Sequence, residues 1–314
     1  MKLLLSAVLA GMFALCAPAQ VVVVDLVNRQ NEFLPKEELL IGVRIANKSG
    51  RELHFGRDNT WLSIDVQSLD ERKVGILKEM PVTGKFTVES PMRVVKLFDI
   101  APYFDMVKSG RYYITATVRI REGNWQESIT SSPIPINIVR GITVWEREFG
   151  VIDKTAERGI PEVRKYALQK ANLFNNKMKM YLQLTSREDP DVFKVVAIDN
   201  VTNFSKREAQ LDKYNYLHVL LQTPRAIARD YNYSVFGDDG RLVLRRTYNA
   251  DASRPFLRPG NDGLIRVQGG VRRISRSDLP KIDPKPQSAE LRGAPPAPDP
   301  SGPPTVETTQ KSGK

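Results

Sequence analysis

One stretch of this chain leaves little choice of backbone. Between Arg111 and Ile120, the residues Tyr112, Ile114, Ala116, Val118 and Ile120 alternate with Arg111, Tyr113, Thr115, Thr117 and Arg119. A period of two gathers the first set on one face of a strand, whereas a helix would scatter both sets. Glu122-Gly123-Asn124 follows as a hairpin turn. The alternation recurs upstream. Leu39, Ile41, Val43 and Ile45 point one way while Leu40, Gly42 and Arg44 point the other, and Asn47-Lys48-Ser49-Gly50 reads as a turn. Leu53 and Phe55, then Leu62, Ile64 and Val66, resume the pattern, with Trp61 as a large anchor for the core they face. Ile134 to Val139 reads as a further strand, and Pro133 and Pro135 place it at a sheet edge. Short strands separated by turns predict a β-sandwich over residues 20–140.

Ser109-Gly110-Arg111-Tyr112-Tyr113-Ile114 resembles the D-S-G-x-Y-x-C stretch of immunoglobulin-like folds, with Ile114 where the disulfide cysteine would stand. With Leu97-Phe98-Asp99-Ile100 before it, the stretch also resembles the Gly-x-Tyr strand of macroglobulin-type and bacterial proteinase-inhibitor-type Ig-like domains. The resemblance covers about a third of the chain, by the span of the sandwich it would occupy. It implies structural roles for Gly110 and for Tyr112, a corner tyrosine whose hydroxyl bonds to the backbone upstream. No Cys-Gly-Glu-Gln thioester signature occurs, so the trapping chemistry of thioester macroglobulins does not carry over.

Gly141 marks the expected junction, and residues 141–274 read as a second antiparallel β domain of at least six strands. Met178, Met180, Leu182 and Leu184 alternate with Lys177, Lys179, Tyr181 and Gln183. Leu217, Val219 and Leu221 alternate with Tyr216, His218 and Leu220. Tyr231, Tyr233 and Val235 alternate with Asp230, Asn232 and Ser234, and Gly237-Asp238-Asp239-Gly240 is a hairpin turn. Ser205 to Lys213 allows one short helix. Residues 275–314 lose nearly all large apolar side chains and gain prolines, from Pro280 to Pro304, so a disordered tail with extended polyproline character is expected there. The fold class is therefore all-β: an Ig-like sandwich, a second antiparallel β domain and a Pro-rich tail.

Residues 1–19 read as a cleavable export signal: Lys2, an apolar run from Leu3 to Leu15, and the A-x-A site Ala17-Pro18-Ala19. The run is too short to span a bilayer well and no stop-transfer segment follows, so no transmembrane segment is expected after cleavage. Cleavage puts the protein in a periplasmic or extracellular space. Cys16 is the single cysteine and lies inside the signal, which leaves the mature chain without disulfides or thiolate metal ligands. Leu15 stands where a lipobox wants a small residue, which argues against lipidation at Cys16.

The net charge of +11 suits contact with acidic envelope polymers, anionic lipid or nucleic acid, and equally simple solubility from scattered lysines and arginines. The basic clusters Arg245-Arg246 and Arg272-Arg273 with Arg276 are short, and no nucleic-acid motif accompanies them. Catalytic signatures are absent: there is no H-E-x-x-H, no G-x-S-x-G, and only two histidines, His54 and His218. No cofactor and no metal site is expected. Trp125, just past the Gly123-Asn124 turn, together with His218, Arg245 and Arg246, is the candidate binding set. The sequence favours an exported, non-enzymatic binding or structural protein that meets an envelope protein or an anionic surface polymer. Two alternatives remain open: an all-β hydrolase using His218 and acids of the second domain, and a protease inhibitor, suggested by the family resemblance.

Overall fold

The computed structural model describes residues 21–70, 72–152, 161–173, 177–187, 193–224, 230–251 and 253–280. Residues 1–20, which hold the expected export signal, and residues 281–314 of the expected tail lie outside the described residues. The chain is all-β, with no helix among the described residues.

In the first sandwich, β1 (Val22–Asn28), β3 (Leu40–Asn47) and β7 (Arg93–Asp99) form one antiparallel sheet in the order β1-β3-β7. The facing sheet runs β2-β10-β8-β5, with β2 (Glu32–Phe33), β10 (Ile134–Ile138), β8 (Gly110–Glu122) and β5 (Leu62–Ser68). β2 pairs in parallel with Asn137 and Ile138 only, so the proline-bearing half of β10 has no described strand on its far side. β9 (Trp125–Thr130) pairs with the distal half of β8 on the same edge that β10 uses proximally. Ser131 bridges the gap between them: its amide donates to the Ala116 carbonyl at 2.8 Å, and its hydroxyl accepts from the Ala116 amide at 3.0 Å. The alternation read from sequence is realised here. Tyr112, Ile114, Ala116, Val118 and Ile120 all lie in the core with Ile41, Val43 and Ile45. Burial of each larger aliphatic side chain contributes roughly 1.5–3 kcal/mol. Trp61 is buried beside Phe55 and Phe86, at ring-centroid distances of 5.6 and 5.3 Å, and its indole donates to the Val82 carbonyl. Phe55 and Phe86 belong to a small ladder of β4 (Leu53–Phe55) and β6 (Phe86–Val88) that closes this end of the core.

In the second domain, β11 (Gly141–Ile152), β12 (Pro161–Asn172), β13 (Met178–Ser186) and β14 (Phe193–Val201) form an antiparallel meander. Its inner face packs on a five-stranded sheet made of β15 (Arg207–Leu211), β16 (Leu217–Gln222), β17 (Asp230–Phe236), β18 (Leu242–Asn249) and β21 (Val271–Arg273). Phe149, Tyr166, Leu182, Leu217, Val219 and Phe236 are among the core between them. The stretch that allowed a short helix is strand β15. Its backbone is drawn into the ladder with β16, from Arg207 opposite Leu221 to Leu211 opposite Leu217. Helix-competent residues such as Glu208, Ala209 and Gln210 yield there to tertiary pairing.

The hairpin of β19 (Phe256–Pro259) and β20 (Ile265–Gln268) covers the outer face of the five-stranded sheet. Leu257 and Ile265 bury against Leu220, Tyr231, Tyr233 and Val235, so β16 and β17 are covered on both faces. The described chain continues past residue 274 to Pro280. Leu279 exchanges backbone hydrogen bonds with Arg245 at 2.9 and 3.0 Å.

A small apolar cluster joins the two domains: Leu34 of the first packs with Ala171, Tyr181 and Val195 of the second. Glu37 makes an isolated parallel bridge to Val195 and is itself buried. Its carboxylate accepts from the Leu34 amide at 2.8 Å and from the Gln30 side chain at 3.1 Å. Burial outweighs these bonds and holds its carboxyl above the ordinary carboxylate range.

Candidate functional site

The interior between the two sheets of the second domain changes character along its length. At one end it is apolar. Toward the other end, the same face of β17 and β18 carries Ser234, Asn232 and Asp230 opposite Arg245, Thr247 and Asn249. The strand period of two, which puts Tyr231, Tyr233 and Val235 under the β19–β20 hairpin, necessarily turns this polar set inward. β14 answers from the facing sheet with Asp199. The Arg245 guanidinium donates to the Asp199 carboxylate at 2.8 Å and to the Ile198 carbonyl at 3.0 Å. The Asn232 amide donates to the same Asp199 oxygen, and the Thr247 hydroxyl donates to the Asn232 side-chain carbonyl at 3.1 Å. Asp230 is almost wholly buried, and its carboxylate accepts from Asn249 and Arg273, each at 3.2 Å. Each charge in this network has an opposite charge in contact, the condition under which buried ions are tolerated.

A pocket of about 330 Å³ opens over this polar end, at the small end of the size range of ligand sites. Thr223, Asp230, Asn232, Thr247 and Arg273 line it from the sheet, and residues 274–277 form its remaining wall. That wall is pinned. Arg272 pairs with the buried Asp278 at 2.6 Å, the same carboxylate oxygen accepts from the Ser275 amide at 3.2 Å, and Leu279 is held against Arg245. The pocket therefore presents hydroxyls from Thr223, Thr247, Ser275 and Ser277, an amide from Asn232, and guanidinium groups from Arg273 and Arg276. Among the described residues, no histidine or cysteine lines it.

His218 lies on the opposite face of the same sheet, under the hairpin. It is 6% exposed. Its Nδ1 lies 2.6 Å from the Tyr233 hydroxyl and its Nε2 lies 3.2 Å from the Asp212 carboxylate. A tyrosine hydroxyl donating to Nδ1 leaves Nε2 protonated and donating to Asp212, which satisfies both ring nitrogens. Burial lowers the affinity of the ring for a second proton and outweighs the opposing effect of Asp212. It also pushes the Tyr233 hydroxyl up to about 12. Asp212 is anchored in turn by the amides of Tyr214 and Tyr216, both at 2.9 Å. The geometry is that of a closed core network.

The structure separates the four candidate binding residues. Arg245 enters the inter-sheet polar network and supplies the backbone that holds the pocket wall. Arg246 faces the other side of its strand and is exposed. Trp125 sits far along the chain in β9, half-buried against the first core, with its indole donating to Glu127 at 3.0 Å. The structural residues sit together on β8. Tyr112 is buried and its hydroxyl donates to the Lys108 carbonyl at 2.7 Å, while Gly110 opens the strand. His54 is exposed and pairs with Glu122 at 3.2 Å. Asp199, Asp230, Asn232 and Thr247 were not singled out by sequence reasoning. On β17 the polar phase was visible as an alternation, but nothing local shows that the aromatic phase would also be covered. Among the described residues, no group of three or more His, Cys, Asp or Glu side chains is placed to hold a metal ion. Among them, too, no helix is long and apolar enough to cross a membrane.

No family model and no curated protein matches the chain. A solved structure, that of Spo0M, a sporulation control protein from Bacillus subtilis, is similar over 59% of this chain and 91% of that one. The identity is 10% and the TM-score 0.26, a likeness too low to carry an argument.

Proposed function

We propose that this chain is an exported, non-enzymatic binding protein of the cell envelope, and that it binds an anionic surface polymer through the pocket at the polar end of its second domain. One observation carries the reading: the pocket is open and its described lining is mainly hydroxyl, amide and guanidinium groups, with Ile274 and the Asp230 carboxylate, the latter already paired with Arg273, and no nucleophile–base pair among these residues. Binding chemistry is well served by such a lining, whereas covalent chemistry would need an activated group. The hydrolase alternative depended on His218. Its two nitrogens are already engaged beneath a covering hairpin, which supports a structural role. The net charge of +11 favours encounter with an anionic polymer, and a salt-dependent association follows from it.

The experiment is affinity retention from envelope extract on the immobilised chain at low and moderate salt. Retention of acidic polysaccharide that weakens with salt supports the proposal. Retention of a single protein at moderate salt replaces it with an adaptor role, and retention of nothing removes it.

A further inference from the structure

Resting on the binding reading above, we infer that the pocket over Asp230 is a site for an acidic sugar, a polyhydroxylated ring bearing one carboxylate. Its lining divides into two chemistries. Arg273 and Arg276 supply guanidinium groups at the rim, and a planar fork of N–H donors matches a carboxylate in two-point geometry. The Thr223 and Thr247 hydroxyls, which already donate to the Asp230 backbone carbonyl and the Asn232 side chain, offer acceptor lone pairs, and the paired Ser275 and Ser277 hydroxyls can both donate and accept, as ring hydroxyls require. Among the described residues, no aromatic side chain lines the pocket, so the site selects by hydrogen bonds and charge and not by stacking.

Asp230 acts as a positioning residue. Its side chain is 4% exposed, while that of Arg273 is 53% exposed, and the two meet at 3.2 Å. One end of Arg273 is thereby held to the floor while much of the side chain remains open to a ligand. Asn249 holds the other carboxylate oxygen at 3.2 Å. With Asp230 balancing one of the two arginines, the described lining carries a net charge of about +1, which suits one sugar carboxylate at a time. The wall bearing Ser275 and Ser277 is fixed by Asp278 and Leu279, so little ordering is needed on binding.

The test is calorimetric titration of the full chain with digalacturonate, maltose and inorganic phosphate. Digalacturonate is expected to bind at one site at least about tenfold more tightly than either of the others, the worth of one charge-assisted hydrogen bond. Arg273→Met should lose about tenfold for digalacturonate and also lower thermal stability, because it strips the buried Asp230 of this counter-ion, whereas Arg276→Met, a change on an exposed lining side chain, should weaken digalacturonate binding and leave thermal unfolding unchanged. Asp230→Asn should weaken binding as well, through Arg273. Equal affinity for maltose, preference for phosphate, or full affinity in Arg273→Met would each overturn the acidic-sugar assignment. Retention of envelope polymer by the wild type with no response to digalacturonate would overturn this inference and leave the binding reading standing.

Discussion

Tyr233→Phe is the sharpest probe of how the second domain is held together. The change removes one hydroxyl from a ring that is 5% exposed and leaves the ring itself in place, so no cavity of consequence forms. What is lost is the 2.6 Å bond to His218, and the ring nitrogen left behind sits in a site that is only 6% exposed. A buried acceptor stripped of its partner costs roughly 1–3 kcal/mol. Because a two-domain chain need not unfold in one step, global denaturation would blur the effect. Native-state hydrogen exchange of the β16 and β17 amides reads it locally. A loss of about 2 kcal/mol corresponds to opening about thirtyfold more often. His218→Leu provides the second corner of a double-mutant cycle. The singles and the double should be non-additive by about 1 kcal/mol or more, as for residues in direct contact. Additivity within about 0.5 kcal/mol, or unchanged exchange in Tyr233→Phe, would refute the closed-network account.

Three further outcomes follow from the same structure. Tyr112→Phe removes the bond to the Lys108 carbonyl and should lower the stability of the first domain by about 1 kcal/mol, measured by exchange of the β8 amides. Gly56→Ala should destabilise that domain more severely, seen as a lower melting temperature, since φ is +74° and a Cβ would lie 2.2 Å from the Gly84 carbonyl oxygen. The folded-state proton affinity of His218 is lowered, so the unfolded chain takes up its proton first as pH falls. Its contribution is therefore present above the ordinary histidine value and is lost on acidification toward the lowered folded value. The pH dependence of β16 exchange should show this loss in the wild type and flatten in His218→Gln.

Much of the fold is legible locally. β3 and β8 each bury one face against a single core, so their period of two is visible in sequence and maps directly onto burial. β16 and β17 read as half-exposed strands and are not, because the hairpin that covers them arrives more than twenty residues later, at Phe256–Gln268. Asp230, Asn232 and Ser234 lie on the other face, which the β11–β14 sheet covers, bringing Asp199 of β14 against Asn232. β15 is composed of residues at ease in a helix, and only its pairing with Leu217–Leu221 makes it a strand. The site was half visible. Arg245-Arg246 and Arg272-Arg273 stand out as basic pairs, but strand geometry sends adjacent residues to opposite faces. Arg245 and Arg246 therefore have different fates, and of the second pair Arg272 pins the wall while Arg273 lines the pocket. The partner of Arg245 is Asp199, 46 residues away on the facing sheet, and no local pattern announces it.

The central claim is that the polar end of the second domain is where this protein meets its ligand. The most direct measurement is amide chemical-shift mapping of the labelled full chain against soluble acidic polysaccharide from the envelope. The account predicts saturable shifts confined to Thr223, Asn232, Thr247 and residues 273–277, needing about tenfold more ligand in Arg273→Met. Shifts centred on Trp125 and the first sandwich, or spread evenly over exposed lysines and arginines, would contradict it.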